Sequence, residues 1–423
     1  MTLTLPTGTM RIAAVVALAV GLTPAAATAA ATPAPAAAVT VRVLPATAPF
    51  SAPIDVLDSG VIVGNQGDGG GAGDDDATVF AGSRPWVALA GVTVPLGRAG
   101  APYAQANAAA EPGIVAGAAA DVAAPDVFTP RRALRWRGLR PETVPSPDVS
   151  ASAAAVNRAG DVLVDRFFGT QVHLVAADGT TTEVTGAFGA YVSGVSLNSR
   201  REALLFGATG GMASTGALTV WRNGVATVLP GMADARSGAR LCRGGITESG
   251  YVARSYLDLS HLRYQVVLRG RDDVDVALTD PATTDAEVAC GAGGDAVNEA
   301  GHVIGIVRTR DAAGTTTTRA TLWRDGSAVD LGVLPGDVSS RALAVNDRDE
   351  VLVQSVAPGG ALRSFLWRGG TATELPAPAG YQRYAATHLN NRGFVAGFAV
   401  RTADGTPGGE VAGTRAVTWY VGG

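Results

Sequence analysis

Two cysteines, four histidines and one run of aspartates are the residues of this chain with the clearest chemical capacity. The histidines, His173, His261, His302 and His388, are dispersed, and no His-x-x-x-His pair offers a zinc site. No Gly-x-Ser-x-Gly elbow, phosphate-binding loop, dinucleotide fingerprint or sialidase-type Asp box occurs, so no catalytic residue is nominated. Asp68, Asp74, Asp75 and Asp76, set in a glycine-rich stretch, carry oxygens enough for Ca²⁺, which takes six to eight hard ligands on a flexible backbone. The stretch lacks EF-hand spacing and a closing Glu, and a solvated loop is the simpler reading; no other cofactor is expected. Cys242 and Cys290 are expected to pair as a disulfide, closing a loop of about 48 residues and stabilising by up to roughly 4 kcal/mol. Two buried thiols are the alternative.

Export is what makes that disulfide reasonable. Arg11 is the only charge before an apolar run at residues 12–22, and Ala27-Thr28-Ala29 supplies a small-x-small cleavage pattern. The run is too short to cross a bilayer, and no later segment reaches the roughly 20 apolar residues required. Residues 1–37 therefore read as a signal peptide with an Ala/Pro-rich extension, and residues 38–423 as one domain of a secreted, extracellular, monomeric protein. The chain is 47% hydrophobic and 17% charged, with 55 Gly and 23 Pro, which suits strands joined by turns. Its basic residues are all Arg, as in a GC-rich bacterial genome. They are scattered and outnumbered, for a net charge of -4, so nucleic acid is not an expected partner.

The elements that position these residues repeat. Val297-Asn298-Glu299-Ala300-Gly301, Val345-Asn346-Asp347-Arg348-Asp349 and Leu389-Asn390-Asn391-Arg392-Gly393 are copies of one design. Earlier copies stand at Asn157, Asn198 and Thr247, at Asp58 with one residue deleted, and more weakly from Asn107. These positions are spaced by 41 to 51 residues and define eight units. About 20 residues on, each unit carries a second signature, as in Leu322-Trp323-Arg324-Asp325-Gly326 and Leu366-Trp367-Arg368-Gly369. Trp136, Trp221 and Trp419 fall in register with these, Trp86 two places earlier on the same strand face, and Leu268 takes the position in the fifth unit. Asn followed three residues later by Gly marks a tight turn, and Arg-Asp-Gly or Arg-Asn-Gly a hairpin. The Asn and Trp series thus read as turn and core, not as a site.

One unit is strand a, tight turn, strand b, variable loop, strand c, tight turn, strand d. The expected fold is all-β: a β-propeller of four-stranded antiparallel blades, eight or alternatively seven, stacked in a circle that buries both sheet faces. The last unit ends after its strand c, and residues 39–45 match strand d sequences such as residues 225–230 and 330–335, so an N-terminal strand should complete the final blade. Both tight turns fall at one end of every blade. The variable loops, at residues 65–83, 231–240, 307–318 and 401–414, fall at the other, where a binding face is expected. Arg236, Arg240, Arg341, Tyr381, Arg383 and Tyr384 are the loop residues placed to contact a ligand.

These motifs resemble those of the bacterial extracellular HAF-type repeat proteins, whose units read roughly as Asn-x-x-Gly-x-Val-Val-Gly, Phe-Leu-Trp-x-x-Gly and Leu-Gly-x-Leu. Residues 298–305, 322–326, 331–334, 346–353 and 365–369 carry the likeness, and the His-Ala-Phe of the family is replaced by Arg319-Ala320-Thr321 and Arg363-Ser364-Phe365. The resemblance implies fold and secretion rather than an activity. The expected function is a non-catalytic scaffold whose loop-rich face binds an extracellular protein or glycan; the alternative is a secreted glycan-active hydrolase or lyase with carboxylates at the mouth of the central channel.

Overall fold

The computed structural model describes residues 38–69, 81–126, 129–147, 150–166, 169–184, 191–208, 216–229, 245–258, 260–280, 282–289 and 296–422. Residues 1–37, the expected export segment, lie outside these, as do Asp74, Asp75, Asp76, Arg236, Arg240, Cys242 and Cys290. The protein is an eight-bladed β-propeller with no helix among the described residues. Seven blades show four antiparallel strands; the fifth shows Val252–Asp258, Arg263–Arg269 and Asp275–Ala277, and the stretch preceding its Thr247 turn is not described. The eighth blade is assembled from both chain termini. Val39–Val43 pairs antiparallel with Val411–Val421, placing Val41 opposite Trp419, as the matching strand d sequences require.

The first strands of the blades stand innermost: Phe50–Val56, Tyr103–Ala110, Ser152–Val156 and Tyr191–Leu197 touch in succession, and Ser339–Val345 touches Arg383–Leu389, which returns to Phe50–Val56. In six blades this inner strand carries a bulge three residues before the turn position, as between Ala342 and Ala344 or Ala386 and His388. The bulge brings a carbonyl close to strand b. Strand b meets it with Gly: a Cβ at Gly64, Gly117 or Gly397 would collide with the carbonyl of Ala52, Gln105 or Ala385.

Each tryptophan faces the preceding blade and fills the seam. Trp221 packs on Leu163, Val172 and Leu174 of the third blade, Trp136 on Val63 and Leu96 of the first, and Trp419 on Leu352 and Leu366 of the seventh. Strand pairing corrects the fifth unit: the residue opposite Val252, where Trp stands opposite Val303, Val351 and Val395, is Arg269, not Leu268. It also corrects the first two. Gly60 donates to the carbonyl of Leu57 and Gly113 to that of Ala110, as Gly160 does to Asn157. Leu57 and Ala110 therefore hold the turn position; no residue is deleted in the first blade, and Asn107 belongs to the bulge.

The turn asparagines tie blade to blade. Asn346 is 3% exposed, and its Oδ1 accepts from the amides of Arg348 and Glu350 while its Nδ2 donates to Glu350 Oε2 at 2.7 Å. The same Nδ2 reaches the carbonyl of Asn390 in the next blade at 3.0 Å, so the side chain's hydrogen-bonding capacity is filled. Asn157, Asn198 and Asn298 repeat this bond to the turn of the following blade, and Asn390 carries it across the chain ends to the carbonyl of Leu57 at 2.8 Å. A second circuit runs beside it: the amides of Ser199, Glu248, Glu299 and Asn391 donate to the carboxylates of Glu248, Glu299, Asp347 and Asp58 in the next blade.

Candidate binding surface at the loop end

The inner strands alternate. In burial the pattern is period two: Ala286, Val288, Ser340 and Ala342 are buried, whereas Asp285, Glu287, Ser339 and Arg341 are half-buried. Asp285 and Ser339 open their strands and each accepts an amide of the preceding blade, from Tyr264 and Thr318, so the half-buried set is what these strands present at the loop end. Period-two alternation makes it readable strand by strand.

Of the residues expected to bind, Arg341 and Arg383 sit on inner strands at this end and are half-buried. Arg341 Nε donates to Gln354 Oε1 at 2.7 Å across the strand pair, which fixes its guanidinium. Tyr384 is turned inward instead. Its hydroxyl donates to the carbonyl of Leu375 at 2.7 Å, its ring lies 5.8 Å from that of Trp419, and burial pushes its phenol above the usual value. Tyr381 packs against the same cluster. Asp68 is more than half exposed and lies 3.6 Å from Arg84, and no group of three or more metal-ligating side chains occurs among the described residues.

Sequence reading missed a tighter group on the sixth blade. Asp285 and Glu287, two residues apart on one strand, face the same way, and Arg308, in register opposite Asp285, reaches both. Arg308 hydrogen-bonds Glu287, lies 3.8 Å from Asp285 Oδ1, and stands 5.6 Å from the ring centre of Tyr264 in the fifth blade. Asp285 Oδ1 in turn accepts the Tyr264 amide at 2.9 Å. The alternation Asp-Ala-Glu at 285–287 was the available signal, but its Arg partner comes from the neighbouring strand and its aromatic partner from another blade.

The opposite arc is richer in amides and hydroxyls. Tyr103 hydrogen-bonds Gln105, Gln105 donates to Asn107 Oδ1 at 2.6 Å, and Asn107 donates to Ser152 Oγ at 3.0 Å in the third blade. Burial pushes the Tyr103 phenol up, with Arg131 pulling against it. Between third and fourth blades, the buried Asp165 accepts from Ser193 Oγ at 2.5 Å and from the Gly194 amide at 3.0 Å. Burial raises its carboxyl above the usual range, opposed by those hydrogen bonds. Asn65 makes the corresponding cross-blade link in the first blade, donating to the Ala106 carbonyl and accepting its amide, so the place itself is a seam bond.

Planar polar groups, an aromatic ring and hydroxyls thus recur on the inner strands at this end, which is the equipment of recognition. No known protein family matches the chain, and no curated protein matches it. Among solved structures the chain is similar to a Mycobacterium tuberculosis puromycin-hydrolyzing peptidase (12% identity, TM-score 0.42, covering 83% of this chain and 59% of that one). It is also similar to the β-propeller domain of the Trilobed protease from Pyrococcus furiosus (10% identity, TM-score 0.42, 77% of this chain and 96% of that one). A third is virginiamycin B lyase from Staphylococcus aureus (12% identity, TM-score 0.40, 91% and 99%). The chain spans 59% of the length of the first of these, and all three likenesses are of fold alone.

Proposed function

We propose that this is a secreted bacterial binding protein of the HAF-type repeat class, monomeric and without a catalytic step, whose loop end holds an extracellular glycan or protein. The observation carrying this reading is Arg308 held between Asp285, Glu287 and the ring of Tyr264, where the fifth and sixth blades meet at the loop end. Such a group meets hydroxyls and carboxylates with donors and acceptors already oriented, which lowers the entropic cost of binding. Arg341 and Arg383 extend the surface to the neighbouring blades. The mature chain, residues 38–423, is to be screened on a glycan array, with Tyr264→Ala and Arg308→Ala beside it. The expected result is a bound class whose signal falls about tenfold or more in both variants. Equal signals in all three proteins would refute the reading.

A second reading, a glycan-active hydrolase or lyase, has one observation in its favour: Asp165, a carboxyl with raised proton affinity bonded to a serine hydroxyl. Chain cleavage of polysaccharides by the wild type that disappears in Asp165→Asn would favour it. The occurrence of Asn65 in the same structural role weighs for the binding reading.

A further inference from the structure

Blade five breaks the repeat, and a polar concavity lies beside the break at the turn end, opposite the loop face. Arg269 replaces the seam tryptophan, and Arg254 occupies a strand b position that is Gly in four other blades. Both guanidiniums are buried, and both bond Asp275, at 2.6 and 3.1 Å. An ion-paired side chain does not spread over the seam as an indole does. Beside it, between the fourth and fifth blades, lies a cleft of about 300 Å³ lined by Glu202, Arg222, Asn223, Thr227, Arg271 and Asp273, among others.

The unfilled bonds in this cleft specify a ligand chemistry. Arg222 Nε is buried and donates no hydrogen bond among the described residues. Glu202 Oε1 lies 3.7 Å from that Nε and 3.9 Å from Arg271 Nε, close enough for attraction and too far for hydrogen bonds. An atom seated among the three would accept from two guanidiniums and donate to a carboxylate. An anion would be repelled by Glu202 and a cation by the arginines, while a hydroxyl does both tasks at once. Asn223 and Thr227 add an amide and a hydroxyl along the same wall. Arg271 also borders a second hollow, of about 500 Å³, on the other face of the fifth blade, where Tyr251, Leu268, Val274 and Val276 give an aromatic and apolar lining that is separate from this cleft. Acceptors and donors offered together to single oxygens along one polar wall describe a polyhydroxylated ligand, as a sugar ring is.

We propose that the seam between the fourth and fifth blades is a saccharide site, in which vicinal hydroxyls bridge Glu202, Arg222 and Arg271, and that it is independent of the loop-face reading. The size of the polar cleft suits one or two sugar units. The test titrates the mature chain with the methyl glycosides of glucose, galactose, mannose and N-acetylglucosamine by ligand-observed NMR and calorimetry. At least one should bind with Kd on the order of 1 mM, as expected for a single small polar ligand. Arg271→Ala should weaken it about tenfold, because that side chain is 62% exposed and its removal leaves the fold intact. Thr227→Tyr, which fills the cleft and removes none of its charged groups, should abolish it, and Tyr264→Ala at the loop end should leave it unchanged. Three results overturn the proposal: no glycoside binds, binding survives both cleft variants, or binding is lost in Tyr264→Ala, which would place the sugar on the loop face. Failure at the cleft leaves the loop-face reading standing, since its variants are different.

Discussion

Blades seven and five use the same backbone plan and close their seams by opposite means. In blade seven, Asn346 fills the turn, Trp367 is 5% exposed against the sixth blade, and Arg368 Nε lies 2.8 Å from Glu350. In blade five, Thr247 holds the turn position, Arg269 the tryptophan position, and Asp275 joins two buried arginines. An indole seals by covering apolar area on the facing sheet, and its strength grows with contact. An ion pair seals by matching charges within its own sheet, and leaves the facing surface partly uncovered. Both hollows described above border blade five. Where this repeat gives up its regular residue, a polar cleft lies beside the seam.

The largest effect should come from the regular seam. Trp367→Ala is expected to lower stability by about 3–5 kcal/mol, read as a shift in the urea midpoint. Trp323→Ala, in the same role at 4% exposure, should match it. In blade five, Asp275→Ala should cost about 3 kcal/mol by leaving two buried guanidiniums without their shared acceptor. If the triple replacement Arg254→Leu, Arg269→Trp, Asp275→Val also cost that much, the contrast between the two seams would fail. Hydrogen bonds from Arg254 hold Asp275 below the usual carboxylate range, so its contribution is present above that range and lost as pH falls through the depressed value. Acid titration monitored by hydrogen exchange should therefore loosen the fifth blade while the tryptophan seams hold.

Turn bonds come next. Asn346→Ala should cost about 1–3 kcal/mol because several buried partners lose their bonds together, whereas Thr247→Asn in the irregular blade should gain about 1 kcal/mol or less. The smallest effect compares Asp165 with Asn65. Burial raises the Asp165 carboxyl, so the folded state favours its proton, and the associated stability is full in acid and lost as pH rises through the folded value. Asp165→Asn should leave the midpoint nearly unchanged in acid and raise it above neutrality, by about 1 kcal/mol or less. A destabilised variant at pH 8 would show that the charged carboxylate is needed.

The Asn and Trp series were enough to place eight blades and the terminal strand, because a turn and a seam plug each favour a particular residue in most copies. The failures have a common physical source. Leu57, Ala110 and Arg269 occupy repeat positions without the repeat's residue, and only the strand ladder fixes their register. Leu268 fits the pattern by type, yet a shift of one residue turns it to the other face. The acidic residues after the turn position recur plainly at Glu248, Glu299 and Asp347, but their partners are amides one blade away, some 50 residues along the chain. The loop-end group joins Tyr264 to Arg308 across a seam for the same reason, and Tyr384 shows that nearness to a loop says nothing about which way a side chain turns.

The asparagine bond from blade eight to the Leu57 carbonyl has a topological corollary. Through this bond and the terminal strand, coupling between adjacent units passes over the polypeptide's own ends as over other junctions, so thermodynamically the array is periodic and contains neither an opening nor a closing member. A circular permutant, cut in a variable loop and rejoined through a linker elsewhere, should keep a single cooperative melting transition.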